Sequence, residues 1–249
     1  MKWAVAVFPG SNCDRDAYRA VADVLGDQAV YVRHDASSLL GADAVILPGG
    51  FSYGDYLRPG ALARFAPVME AVRSFAEAGG PVLGICNGFQ ILCEAGLLPG
   101  ALLRNAGQRF RCQPVCLRVE NSHTPFTGRF HAGQVIRMPI AHGEGNYFAP
   151  PEVLDELEQQ GRIVFRYCDP DGRATPAANP NGSARNIAGI CNARGNVVGL
   201  MPHPERAVEP FMVSTDGLAL LAAVRDWLQA TSTSPPDGNS ATGGVQGAC

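Results

Sequence analysis

One segment constrains this chain more than any other. Pro81-Val82-Leu83-Gly84-Ile85-Cys86-Asn87-Gly88-Phe89-Gln90 is a strand-length apolar run that enters a Gly-x-Cys-x-Gly turn and passes at once into a helical pattern. This is the nucleophile-elbow arrangement, with sulfur in place of a serine hydroxyl. The sharp turn pushes the Cys86 side chain out at the carboxyl end of a sheet. The flanking glycines let neighbouring backbone approach without a Cβ clash. The helix N-terminus favours a thiolate through its dipole and free N–H groups. The backbone N–H of Asn87 is placed to help hold an oxyanion. The competing reading is a buried cysteine beside a tight turn, a common place for cysteine.

The rest of the first half builds the sheet that such an elbow needs. Trp3 to Phe8, Gln28 to His34 and Ala44 to Leu47 read as strands, as does Val82 to Ile85. Helical patterns separate them at Asp14 to Leu25, Ala61 to Ala78 and Gly88 to Ala95. Apolar strands alternating with helices predict a mostly parallel open sheet flanked by helices, an α/β fold. The middle changes character. Val115 to Val119 and Val135 to Ile140 predict added antiparallel strands, followed by a helix over Pro151 to Gln160 and a strand over Arg162 to Tyr167. Residues 169–185, rich in Pro, Asn, Gly and Asp, read as a long surface loop. Ile187 to Cys191 and Val197 to Met201 predict a hairpin, and Ser214 to Gln229 the last helix. A length of 249 residues at 46% apolar content suits one large domain, and composition shows no break before about residue 230. We therefore expect one domain over residues 1–230. Residues 231–249, poor in large apolar side chains, are an expected disordered tail.

Charge and cysteine usage exclude other classes. Twenty basic and 23 acidic residues give a net charge of -3 with no basic stripe, which argues against nucleic acid. No apolar run approaches a membrane span. Met1-Lys2-Trp3-Ala4-Val5 begins a run too short for a signal peptide, so a cytoplasmic location is expected. Eight cysteines without an export signal read as reduced thiols. Cys112 and Cys116 have a spacing that a metal site uses. No matching second pair follows, so no metal is expected there.

A thiol nucleophile needs a base and a group that orients it. Met201-Pro202-His203-Pro204-Glu205-Arg206 follows a buried strand, and prolines on both sides of His203 fix the backbone. Residues two apart in an extended segment point the same way, so Glu205 is placed to orient His203. The alternative is a proline-rich surface turn with an incidental histidine. His142, in His142-Gly143-Glu144-Gly145, is a rival base without so rigid a carboxylate. Leu47-Pro48-Gly49-Gly50 ends a strand beside the expected position of Cys86, and the Gly50 N–H is a candidate second oxyanion donor. A phosphate loop would need Gly-x-x-x-x-Gly-Lys-Ser/Thr, which is absent.

Together, Gly84-Ile85-Cys86-Asn87-Gly88 and His203-Pro204-Glu205 resemble the triad class of glutamine amidotransferases. Further stretches resemble, more narrowly, the glutaminase subunits of phosphoribosylformylglycinamidine synthase, an enzyme of purine biosynthesis. These are Pro9-Gly10-Ser11-Asn12-Cys13-Asp14, Pro48 to Arg58, Asn121 to Phe126, His142 to Tyr147 and Asn179 to Ser183. The resemblance covers about residues 3–229. It implies a flavodoxin-like amidotransferase fold and hydrolysis of glutamine to glutamate and ammonia by Cys86, His203 and Glu205, with Gly50 and Asn87 at the oxyanion. It also implies delivery of ammonia to a separate ATP-dependent synthetase subunit, with a small accessory subunit. That subunit converts formylglycinamide ribonucleotide to the amidine. ATP and magnesium then belong to the partner, and this chain needs no cofactor. Two alternatives stay open: a redox-sensing or binding module that shares the elbow cysteine, and an amidotransferase of another pathway.

Overall fold

The computed structural model of the chain describes residues 1–233. Residues 234–249, most of the expected tail, lie outside the described residues. Trp3, Ala4, Val5 and Ala6 are all buried, so β1 (Lys2–Val7) has no solvent face and lies inside a sheet covered on both sides. Helix α1 (Asp14–Arg19) continues into a wider π-type stretch over Ala20–Leu25, which Gly26 ends in a left-handed conformation. β2 (Gln28–Arg33) and β3 (Ala44–Leu47) then run parallel to β1 on its two sides.

The expected helix over Ala61 to Ala78 is shorter. Ala66 precedes a proline and is extended, with ψ of 139°, so α2 (Pro67–Glu77) starts at the proline. The residues before it form a single tight turn over Ala63–Phe65. β4 (Val82–Ile85) and α3 (Asn87–Glu94) carry the elbow. Next come β5 (Ala101–Leu103), β6 (Arg111–Val119), β7 (Val135–His142) and β8 (Asn146–Phe148). α4 (Pro151–Gln159), β9 (Ile163–Cys168), β10 (Ile187–Cys191), β11 (Val197–Leu200) and α5 (Asp216–Thr233) complete the described chain.

Among the described residues, nine strands form one sheet in the order β2-β1-β3-β4-β11-β10-β9-β6-β7. The first five are parallel and the pairings from β11 onward are antiparallel, so the mixed sheet matches the fold class expected from the sequence. β5 and β8 form a separate two-stranded ribbon that the sequence pattern did not indicate. Residues 169–185 are not simply a surface loop, because Asn181 and Ser183 are buried and bonded to the backbone around Gly145 and Tyr147. α5 is tied to the start of the chain by Asp27. Its carboxylate accepts from Arg225, from Trp3 Nε1 and from the N-terminal amine. No described helix is long and apolar enough to cross a membrane, and the seven described cysteines are free.

The strand order positions the site. β4 pairs in parallel with β3 on one side and with β11 on the other, Leu47 and Leu200 lying opposite Gly84 and Ile85. Parallel neighbours release their following loops at the same sheet end, the usual place for a site in an open α/β sheet. Cys86 follows β4, Gly49-Gly50 follows β3 and His203 follows β11.

Candidate active site

Cys86 sits at φ 50° and ψ -104°, a conformation that a side-chain-bearing residue adopts at a cost of about 1–3 kcal/mol. The surroundings hold it there. Its N–H donates to the Leu200 carbonyl at 2.8 Å, and its carbonyl accepts from Gln90 N–H at 3.1 Å in the first turn of α3. Gly88 makes the turn sterically possible, because a Cβ at this position would lie 1.9 Å from Leu47 O. Cys86 Sγ does not cap its own helix. It lines a cavity of about 250 Å³ and reaches the Ala141 carbonyl at 3.8 Å.

Across that cavity, β11 runs into an extended His203 whose N–H donates to the Pro139 carbonyl at 2.9 Å. A tight turn over Pro204–Arg206 brings Glu205 back to it, with His203 Nδ1 and Glu205 Oε1 2.6 Å apart. Both residues are buried, at 1% and 3% exposure. α5 packs onto this turn so closely that a Cβ at Gly217 would lie 1.9 Å from Pro204 O. Burial opposes charge on His203. The Glu205 carboxylate and the neighbouring sulfurs of Cys13 and Cys86 outweigh it and hold the imidazole pKa well above its ordinary value. A carboxylate only accepts, so Nδ1 carries the proton shared with Glu205, and Nε2 is left buried without a hydrogen-bond partner.

Gly50 lines the cavity beside Cys86, and its backbone bridges to Ser11. Asn87 opens α3, where the first N–H groups have no intrahelical acceptor. Its buried side chain accepts from Ser52 N–H at 3.1 Å and donates to Gln90 Oε1 at 2.9 Å, which locks the loop after β3 to the helix after Cys86. Gln90 in turn donates to the Glu144 carbonyl at 2.6 Å. The structure thus brings Cys86, His203, Glu205, Gly50 and Asn87 to one place from three adjacent strand ends.

His142, the rival base, is engaged otherwise. Asn105 Oδ1 also accepts from Gly145 N–H, so it is the acceptor for His142 Nδ1–H at 3.1 Å. Asn181 Nδ2 approaches Nε2 at 3.5 Å. Burial, with the charge of His203 nearby, pushes the His142 pKa down to about 4, so it is neutral at pH 7. Asp55 shares the cavity wall, and burial together with Glu144 raises its carboxyl to about 6. Of the arginines whose roles the sequence left open, Arg58 pairs with Glu94 on the surface and Arg104 lies 3.6 Å from Glu144. Arg206 lines the cavity, donates to Cys13 Sγ at 3.1 Å and pairs with Asp16 at 3.0 Å. Sequence reasoning about the site missed Cys13, Asn105 and Asn181. For Cys13 and Asn181 the available signal was membership in the stretches Pro9 to Asp14 and Asn179 to Ser183.

Comparison with known proteins agrees with this geometry. Residues 1–230 match the CobB/CobQ-like glutamine amidotransferase domain family. The phosphoribosylformylglycinamidine synthase subunit PurQ of Moorella thermoacetica is 63% identical over 227 residues, covering 91% of this chain and 96% of that protein. The subunit of the same name from Thermomicrobium roseum is 60% identical over 224 residues, with 90% and 95% coverage. Among solved structures, a chain of the PurLQS structure from Thermotoga maritima superposes with a TM-score of 0.81 at 46% identity, covering 91% of this chain and 98% of that one. The glutaminase domain of Trypanosoma brucei CTPS with bound acivicin shares the fold at a TM-score of 0.56 and 14% identity, covering 91% of this chain and 94% of that one.

Proposed function

The chain belongs to the glutamine amidotransferases, in the family of PurQ subunits of phosphoribosylformylglycinamidine synthase, and from that premise we propose that Cys86, His203 and Glu205 carry out glutamine hydrolysis in it. Residues 1–230 act as one catalytic domain in this reading. The observation that carries it is the parallel β4–β11 pairing, which delivers a strained elbow cysteine and a buried, carboxylate-bonded histidine to one cavity.

The Cys86 thiolate, paired with the protonated His203, adds through Sγ to the side-chain amide carbon of glutamine. The former carbonyl oxygen gathers negative charge facing the N–H groups of Gly50 and Asn87. The imidazolium returns its proton to the amide nitrogen, the C–N bond breaks and ammonia leaves. A γ-glutamyl thioester remains on Cys86. His203 then takes a proton from water, whose oxygen adds to the thioester carbon, and collapse expels the Cys86 sulfur and forms glutamate. The Glu205 carboxylate, hydrogen-bonded to Nδ1, orients and stabilises the imidazolium. Ammonia passes to a cytoplasmic synthetase subunit, assisted by a small accessory subunit. ATP and Mg²⁺ on the synthetase drive conversion of formylglycinamide ribonucleotide to formylglycinamidine ribonucleotide.

The test is Cys86→Ala, assayed for glutamate release by the chain reconstituted with its synthetase subunit. Loss of hydrolysis with unchanged thermal unfolding is expected, because the side chain is small and the elbow backbone is retained. Glutamate release near the wild-type rate would remove Cys86 from the mechanism. The isolated chain is expected to be a weak glutaminase that the partner activates.

A further inference from the structure

Two thiols outside the active site face each other across the sheet. Cys116 on β6 lies directly opposite Cys168 on the antiparallel strand β9. Directly opposite residues of antiparallel strands have Cα atoms about 4.5–5.5 Å apart, inside the range of about 4.4–6.8 Å that a disulfide spans. Both side chains leave the same face of the sheet. Leu117 and Tyr167, the next pair along the ladder, are fully buried on the other face. Cys116 is half-buried, Cys168 is buried, and both are free thiols. Burial pushes the Cys168 thiol up to about 11, and the nearby Cys116 adds to the rise, in agreement with the register. Asp169 and Glu120 act in the same direction and Arg118 against it. Neither cysteine lines the cavity that holds Cys86.

We propose that Cys116 and Cys168 are a modification site, closing to a reversible disulfide when the chain meets a small disulfide oxidant of the glutathione class. Exposure sets the order of events. Cys116 is the thiol that an external molecule reaches, whereas Cys168 is 4% exposed. The Cys116 thiolate adds to one sulfur of the oxidant, whose S–S bond breaks, and one glutathione leaves as the thiol. A mixed disulfide remains on Cys116. Cys168 then loses its proton to water and attacks Cys116 Sγ. The bond from Cys116 to glutathione breaks, and the second glutathione leaves. The two protein thiols have lost two electrons and two protons, and the oxidant has gained them as two thiols. A thiol that holds its proton is a poor first attacker, but Cys168 needs only to reach the sulfur opposite it.

The new bond ties β6 to β9 and closes a loop of 52 residues, from 168 less 116. A cross-link over such a separation restricts the unfolded chain and stabilises the fold. The other neighbour of β6 is β7, which carries the Pro139 carbonyl that accepts from His203 N–H. The inference does not depend on the substrate of the cavity, because it is read from the thiols directly.

The test incubates the full chain with oxidised glutathione, alkylates the remaining thiols and maps the peptides by mass spectrometry. Wild type, Cys116→Ser, Cys168→Ser, Cys168→Ala and Cys112→Ser are compared. Wild type and Cys112→Ser, whose exposed thiol lies opposite Ala141, are expected to give a Cys116–Cys168 cross-link within one chain that dithiothreitol reverses. Both Cys168 variants are expected to retain glutathione on Cys116, because the attacker that releases it is gone. Alanine at 168 keeps the test open if serine disturbs the buried position. Cys116→Ser is expected to leave Cys168 unmodified. The cross-linked wild type should melt roughly 4–16 °C above its reduced form, and the variants lacking either cysteine should show no such rise. Alkylation of both Cys116 and Cys168 after oxidant treatment, a cross-link from either to another cysteine, or glutathione on Cys168 in Cys116→Ser would overturn the proposal.

Discussion

Gly88→Ala is expected to disable the site through backbone geometry alone. The added Cβ would lie 1.9 Å from Leu47 O and 2.6 Å from Leu47 C. Comfortable contact lies near about 3.5 Å, so α3 and β3 must separate by roughly 1.6 Å, the difference between 3.5 and 1.9. Neither side yields easily. Leu47 is buried in the middle of the sheet and paired with Gly84, and Gly88 is buried in the first turn of α3. Overpacking of this kind costs about 1–3 kcal/mol, which in a domain of this size lowers Tm by roughly 2–12 °C. The effect on rate is larger. Cys86 is two residues away, and a displacement of about 1 Å in a catalytic group costs on the order of 10²-fold. Calorimetry gives the first quantity, and glutamate release measured well below the variant's Tm gives the second. A variant with wild-type Tm and a rate within about twofold of wild type would refute the argument that the elbow is held by the contact with β3.

Three further outcomes follow from the same geometry. Glu205→Gln keeps the shape but removes the charge at 2.6 Å from His203 Nδ1, and is expected to lower kcat on the order of 10³-fold and to lower the imidazole pKa measured by NMR; a loss below tenfold would place Glu205 outside the triad. His142 stays unprotonated in the fold down to about pH 4, while the unfolded chain protonates near 6.5. The unfolded state therefore binds more protons between those values, and stability falls by up to about 3 kcal/mol as pH drops through that window. His142→Asn should flatten this slope in urea titrations, and an unchanged slope would assign the acid sensitivity elsewhere. Asp27→Ala leaves Arg225, Trp3 Nε1 and the N-terminal amine without their shared acceptor, and should cost about 3 kcal/mol of unfolding free energy while leaving kcat below Tm unchanged.

The parts of the fold visible in the sequence are those whose signals are local. Strands β1, β3 and β4 are unbroken apolar runs because both faces are covered, and Pro and Gly mark their ends. The start of α2 was misjudged although Pro67 was in view, because the apolar pattern continues through Ala61 to Ala66 while the backbone does not. β5 and β8 are three residues each and only half-buried, too short for a period to show. Residues 169–185 have a loop composition, yet Asn181 and Ser183 are buried because their side chains satisfy backbone and ring groups from another segment. The site divides the same way. Cys86 is announced by its elbow, and His203 with Glu205 by a separation of two residues between prolines. Cys13 meets Arg206 across 193 residues, and His142 meets Asn105 and Asn181 across 37 and 39, so no local pattern pointed to either contact.

That division bears on how activity depends on folding. Cys86 and His203 follow neighbouring strands, but the pairing of Val82 with Val197 spans 115 residues, from 197 less 82. Between them the chain must complete β5 to β10, and β11 must enter between β4 and β10. Parallel pairing over such a separation is a slow, entropically expensive closure. The hydrogen bond from Cys86 N–H to Leu200 O forms only with that closure, and so does the placement of His203 after Leu200. A chain whose first half has folded therefore has the elbow cysteine without His203, and on the proposed mechanism it does not acquire hydrolytic activity in part. Substitutions that loosen the β4–β11 pair should consequently lower stability and turnover together, unlike those on the edge strand β2, which leave the junction intact.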